Sequence, residues 1–221
     1  MKPDFITYQK FDDPALADDL AVQLQQHNIE YAVEEESTTF DPSFALNNAM
    51  KIYAIKIKSR DFEKVNQLLK EDETEDITEI GKDYYLYSFT DDELMEVINK
   101  ADEWGSFDFV LARKILAEKG KEITDAAITA INEKRIEELK VPEAPQTSWI
   151  VIGYICAFIG GLLGIFIGYH LMTYKKTLPD GERVYEYLES DRVHGKRIFY
   201  IGIAVLVLAV GYKLGWIFTN N

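Results

Sequence analysis

The sequence predicts an α+β protein with a membrane-embedded tail, and three observations carry the prediction. Aromatic and β-branched runs alternate with helical stripes over residues 1–89, helical periodicity fills 90–139, and two long apolar runs close the chain. Charge divides at the same place. Residues 1–147 hold 33 acidic and 17 basic side chains and residues 148–221 hold 5 and 7, within a formal total of −14 over 221 residues. The front part suits water and the back part does not.

The elements follow in order. Residues 5–11, FITYQKF, have strand composition. Asp13 precedes Pro14, an N-cap followed by proline at the first helical position, and Leu16, Leu20 and Leu24 with Ala17 and Ala21 supply an apolar stripe that stops near His27-Asn28. Tyr31 and Val33 alternate with acids as a second strand does, and residues 37–50 form a polar loop without a clear period. Tyr53, Ile55 and Ile57 share one face of a third strand over 52–58. Phe62, Val65, Leu68 and Leu69 mark a second helix, and residues 84–89 read as a fourth strand. The acidic run 71–76 lacks the spaced ligands and glycine of an EF-hand and reads as a solvated linker. The order βαββαβ is the ferredoxin-like arrangement, here expected over 1–89.

The segments ALADDLAVQLQQHNIEYAVEEES and KIYAIKIKSRDFEKVNQLLKED resemble the small bacterial domain family described as a prokaryotic signal transducing protein, whose fold is similar to that of the PII nitrogen-regulatory proteins. The resemblance covers about residues 4–72 and supplies a scaffold without an established active site. It implies that the loop 37–50 occupies the place of the long loop with which PII proteins touch partners, which makes Ser37, Phe40, Phe44, Asn47 and Asn48 candidate partner-binding residues. A variable hairpin connection is the other reading of that loop.

Residues 90–147 are expected to be a helical region ending in a linker. Thr90-Asp91-Asp92-Glu93 is a capping box, Leu94, Val97 and Ile98 follow at helical spacing, and Ser106 opens a helix that stops at Gly120. DDELMEVINKADEWGSFDFVLARKILAEKG looks like a small helical pair found beside transmembrane segments in other bacterial proteins. Trp104 reads as a plug between those helices. A third helix covers 124–139, and Pro142 and Pro145 break the chain.

Residues 148–221 are expected to form a transmembrane hairpin with spans at 148–172 and 198–218. Residues 149–171 carry no charge over 23 positions, enough to cross a core of roughly 30 Å at about 1.5 Å per residue. The second span holds one charge, Lys213, near enough to its end to snorkel. Gly160, Gly164 and Gly168 repeat every four residues in the first span, and Gly211 and Gly215 answer in the second. Such small residues let membrane helices approach closely, so the stripes are expected to pack the hairpin or to pair two copies of it. They fit neither a dinucleotide fingerprint nor a P-loop.

Two rules conflict on orientation. The connection between the spans carries Lys175, Lys176, Arg183, Arg192, Lys196 and Arg197, which the positive-inside rule holds in the cytoplasm. A hairpin then puts the front domain outside, yet no apolar leader follows Met1. The expectation adopted is a cytoplasmic front domain in a multi-pass protein of the inner membrane.

No catalytic signature accompanies this organisation. There is no nucleophile elbow, Cys156 is the single cysteine, and His27, His170 and His194 are far apart, so neither a cofactor nor a metal is expected. The acidic balance disfavours nucleic acid as a partner. The expected function is a non-enzymatic, membrane-anchored binding or signal-transducing module engaging a protein or a small ligand. The alternative is an accessory subunit recognised through its Gly-rich helices.

Overall fold

The computed structural model describes residues 5–37, 51–77 and 80–220. Its chain divides into two compact units, residues 1–138 with 177–182, and residues 139–176 with 183–221. The candidate loop residues Phe40, Phe44, Asn47 and Asn48 lie outside the described residues, while Ser37 ends a strand.

In the first unit, β1 (Phe5–Phe11), β2 (Tyr31–Ser37) and β3 (Lys51–Lys58) form an antiparallel sheet in the order β1-β3-β2. Register places Ile57 opposite both Ile6 and Tyr31, so apolar side chains gather on one pleated face. Helices α1 (Pro14–Gln26) and α2 (Phe62–Asp76) supply Ala17, Leu20, Leu24, Phe62 and Val65 to a core with Ile29, Ile55 and Ile57. Leu24, Ile55, Ile57 and Val65 are fully buried, each stabilising the unit by about 2 kcal/mol relative to exposure. Asp13 caps α1 by accepting from the Ala15 N–H at 2.9 Å, and Asn28 turns the chain after it at a φ of 54°. The other sheet face is polar: Lys56 pairs with Glu34 on it, and Lys58 reaches Glu30 at 2.6 Å.

Two expectations are corrected here. The acidic run 71–76 is not a linker but the end of α2, where Asp72 accepts from the Gln23 amide of α1 at 2.7 Å. Residues 84–89 are not a fourth strand. Tyr85–Ser88 is a 3-10 turn that buries Leu86, and Tyr84 beside it meets the Phe107 ring edge to face and donates to Asp108 at 2.8 Å. A run whose side chains are committed to neighbouring helices has none left to pack on a sheet face, and the tight turn spends its backbone bonds locally. The expected order βαββαβ is thus not complete: the elements over 5–76 run βαββα, and among the described residues no strand pairs with the outer edge of β1.

Leu86 belongs to a second core built by α3 (Asp91–Asn99) and α4 (Ser106–Glu118) around Leu94, Val97, Ile98, Leu111 and Leu116. Trp104 packs against its rim, edge-on to Phe89. α5 (Asp125–Lys140) is tied on by Arg135, whose guanidinium forks onto both oxygens of Asp102 at 2.8 and 2.9 Å.

The capping box starts α3 as the sequence indicates: Glu93 N–H donates to Thr90 Oγ1 at 3.3 Å, and Thr90 N–H donates to Glu93 Oε2 at 2.7 Å. Thr90→Ala is expected to lower stability by about 1 kcal/mol in thermal melts of the detergent-solubilised chain. The backbone and hydroxyl of Thr90 hold the Glu93 carboxyl below its ordinary range, and Lys121 and Lys119 do the same for Asp91. A carboxyl lowered in the folded state contributes stability above its unfolded pKa and loses it as pH falls through the lowered value. Acidification below the ordinary carboxylate range should therefore destabilise the first unit. Glu93→Gln should flatten part of that acid limb, and an unchanged limb contradicts the assignment.

The first unit also contains residues 177–182. Leu178 is buried, the Ser59 hydroxyl donates to the Gly181 carbonyl at 2.7 Å, and the Asn66 amide donates to the Pro179 carbonyl at 2.9 Å. Gly181 has a φ of +82°, and a Cβ there would stand 2.7 Å from the Ser59 carbonyl oxygen, so only glycine fits this seat.

The second unit corrects the membrane reading. The first expected span, 148–172, is two short antiparallel helices, α6 (Thr147–Ile159) and α7 (Leu162–Thr173). At 13 and 12 residues they rise about 20 and 18 Å, too short for a core of roughly 30 Å. After β4 (Lys175–Thr177) and β5 (Arg183–Tyr185), α8 (Glu189–Asn220) is the one described helix long and apolar enough to cross a membrane.

Candidate functional site

The break between α6 and α7 is made by two adjacent glycines. Gly160 caps α6 by donating to the Cys156 carbonyl at 3.2 Å, and Leu162 N–H donates to the Gly160 carbonyl at 2.9 Å. That closes a three-residue turn centred on Gly161, whose φ of +75° and ψ of −51° are strained for any residue with a Cβ. The Ile165 N–H then donates to the Gly161 carbonyl at 2.9 Å and α7 begins. Chain reversal therefore takes only Gly160 and Gly161.

Small residues let the three helices meet. A Cβ at Gly164 would stand 2.4 Å from Ala157 Cα, so α6 and α7 touch there backbone to backbone. A Cβ at Gly168 would stand 2.5 Å from the Phe199 nitrogen and 2.6 Å from the Gly195 carbonyl oxygen, both on α8. Gly161 and Gly202 approach each other in the same way, the added Cβ of each lying 2.6 to 2.7 Å from the carbonyl oxygen of the other. Gly161 and Gly168 on α7 thus meet Gly202 and Gly195 on α8, each pair seven residues apart and so on one helical face.

The expected stripes are placed differently. Gly160 lies in the turn, Gly164 faces α6 and Gly168 faces α8, so the three do not form one contact surface. Among the described residues a Cβ at Gly160 or Gly211 would meet nothing within 4 Å. Gly153, Gly161, Gly195 and Gly202 hold close contacts that the four-residue repeat does not reveal. The seven-residue spacing shared by Gly161 with Gly168 and Gly195 with Gly202 is the signal that finds all of these but Gly153.

Polar contacts gather at one end of these helices. Asp191, a buried carboxylate, accepts from the Gln146 N–H at 2.8 Å and thereby ties the start of α6 to that of α8. Tyr154 bonds His194 at 3.1 Å, and His170 bonds Tyr187 at 3.0 Å. Burial, then the carboxylates of Glu143 and Glu186, push the Tyr187 phenol up, so it keeps its proton for that bond. Lys176 reaches the Val141 carbonyl at 3.2 Å and Glu186 at 3.6 Å, and the Arg192 guanidinium lies 3.8 Å over the Tyr185 ring. Lys213 is exposed on α8, and the partner of His170 is Tyr187. At the opposite end the surface is apolar: Phe158, Ile159, Leu163 and Phe166 are 64 to 82% exposed.

The first unit offers two shallow depressions. One is lined by Phe5, Gln25, Asn28, Ile29, Glu30 and Tyr31 beside the sheet, the other by Asn99, Lys100, Ile131, Lys134, Arg135 and Glu138. Among the described residues no three His, Cys, Asp or Glu side chains converge to hold a metal ion. Comparison with family models, with curated proteins and with solved structures finds no match.

Proposed function

We propose that the chain is a non-enzymatic, membrane-anchored binding or signal-transducing module of the inner membrane. In this reading its cytoplasmic front domain engages a protein or a small ligand. The observation that supports it most is one chain joining a water-suited unit with two cores of its own to α8, whose apolar window is only 11% buried. An apolar helix this long and this bare is costly in water and stable in hydrocarbon. Among the described residues no strand pairs with the outer edge of β1 in the front domain's three-stranded sheet, which adds a place there for a partner's strand. The loop 37–50 and the PII resemblance lead to the same domain.

A second reading has its own observation. A Cβ at Gly211 would meet nothing within 4 Å and Leu208, Tyr212 and Leu214 beside it are exposed, so this part of α8 is open to a helix of another chain. That favours an accessory subunit of a larger membrane complex, or pairing of two copies.

Affinity capture of the full chain from native membranes in mild detergent, read by mass spectrometry, separates them. A partner lost with Phe40→Ala and Phe44→Ala but retained with Gly211→Leu and Gly215→Leu supports the binding module. The reverse pattern supports the accessory subunit. Turnover of a substrate by the purified chain, abolished by changing one acidic residue, contradicts both.

A further inference from the structure

The geometry points to a re-entrant hairpin: α6 and α7 dip into one leaflet and return to the side they entered from, and α8 alone crosses. This rests on the reading of the chain as a membrane protein and replaces the two-span arrangement. It places the front domain and the basic connection between α7 and α8 on one side of the bilayer, with the end of α8 on the other.

Four observations converge on it. First, α6 and α7 are antiparallel and in close contact, with Gly164 on Ala157 and Gly153 against Ile167, so residues before 147 and after 173 emerge at one end. The Glu143 N–H donates to the Glu186 carbonyl at 2.8 Å, and Lys176 reaches the Val141 carbonyl, at that end.

Second, the tip reaches only part of the way along α8. Gly161 lies against Gly202 and Leu206, four and eight residues into the apolar run that begins at Ile198. That is a depth of about 6 to 12 Å, while the run to Phe218 spans about 30 Å. The turn therefore sits short of the midplane, and its strained backbone is sheltered: Gly161 is buried against α8. Irregular backbone at membrane depth is tolerated where protein covers it.

Third, the surface is graded as a leaflet is graded. The tip exposes Phe158, Ile159, Leu162, Leu163 and Phe166 to hydrocarbon, whereas Lys175, Lys176, Arg183, Arg192, Lys196 and Arg197 ring the open end, where anionic headgroups lie.

Fourth, residues 177–182 belong to the first unit, held by Ser59 and Asn66 and seated by Gly181. A segment packed inside that unit cannot stand across a bilayer from it. The conflict between the two orientation rules then disappears. The basic connection and the front domain occupy the cytoplasm together, and no soluble domain has to be exported.

Labelling of single cysteines in the full chain tests this. In a Cys156→Ala background, Asp18→Cys on exposed α1 and Arg183→Cys on the exposed connection are probed with an impermeant maleimide in intact and in permeabilised spheroplasts, beside an epitope tag after Asn221 probed by antibody. The expected result is that positions 18 and 183 are both protected until permeabilisation and the tag is reached in intact spheroplasts. Labelling of 183 on the side opposite 18 overturns the inference, as does a tag on the same side as both. Positions 18 and 183 both labelled in intact spheroplasts, with the tag protected, sustain the re-entrant hairpin and instead refute the cytoplasmic front domain. Extraction of the chain by alkaline carbonate refutes the membrane reading beneath both.

Discussion

Gly161→Leu is expected to destabilise the helical hairpin by about 2 to 5 kcal/mol, while Gly160→Leu, one residue earlier, stays within about 0.5 kcal/mol of the parent. Two independent terms fall on Gly161. Its φ of +75° costs an L-residue about 1 to 2 kcal/mol. Its Cβ would stand 2.6 Å from the Gly202 carbonyl oxygen and 3.1 Å from Leu206 Cβ, an overpacking that typically costs about 1 to 3 kcal/mol. The first obstacle is backbone, so relief requires moving α7 off α8. Gly160 has a φ of −144°, which any residue adopts, and open space around its Cβ position. Thermal unfolding of both variants in one detergent reads the difference. Equal effects mean that the chain does not reverse at Gly161.

Gly168→Leu is expected to lose about 1 to 3 kcal/mol, because its Cβ would lie 2.5 Å from the backbone nitrogen of Phe199 and 2.6 Å from the Gly195 carbonyl oxygen. Gly211→Leu, whose Cβ would meet nothing within 4 Å, should leave the melting of the isolated chain unchanged. The contrast also separates folding from assembly. If copies pair or a partner binds through α8 around Gly211, the Gly211 variant loses that association at unchanged stability. A Gly168 variant that melts with the parent contradicts the packing of α7 on α8.

Much of the first unit is legible in the sequence because its elements have short, strong periods. Tyr53, Ile55 and Ile57 alternate as β3 requires, Leu20 and Leu24 recur as α1 requires, and Thr90 with Glu93 announces the cap of α3. Residues 84–89 mislead because their composition suits a strand equally well. What decides the outcome is tertiary: Phe107, Asp108 and the core around Leu86 take up the run before a sheet edge does. The acidic run 71–76 misleads through charge, which reads as a solvated linker although the run continues α2 to Asp76.

The membrane part was less legible for a different reason. Apolar length suggests crossing, and a continuous window over 149–171 hides a reversal that needs only two residues. Gly160 reads there as one member of a four-residue packing stripe, although adjacent glycines such as Gly160-Gly161 also mark turns. The second missed signal is Leu178-Pro179-Asp180-Gly181, a turn sequence between the short strands β4 and β5. It fixes residues 177–182, whose place in the first unit bears on the sidedness of the connection. The loop 37–50, which the resemblance makes the leading partner-binding candidate, owes its standing to the sequence alone.

The central claim is that residues 147–173 double back instead of crossing. Spin labels at Ser148→Cys and Thr173→Cys, both exposed positions, in a Cys156→Ala chain in lipid nanodiscs report it as a distance by electron double resonance. A doubled-back hairpin brings its two ends together, with axes about 8 to 10 Å apart, and gives a label separation below about 20 Å. A continuous helix over those 25 steps gives about 37 Å, and that result contradicts the hairpin.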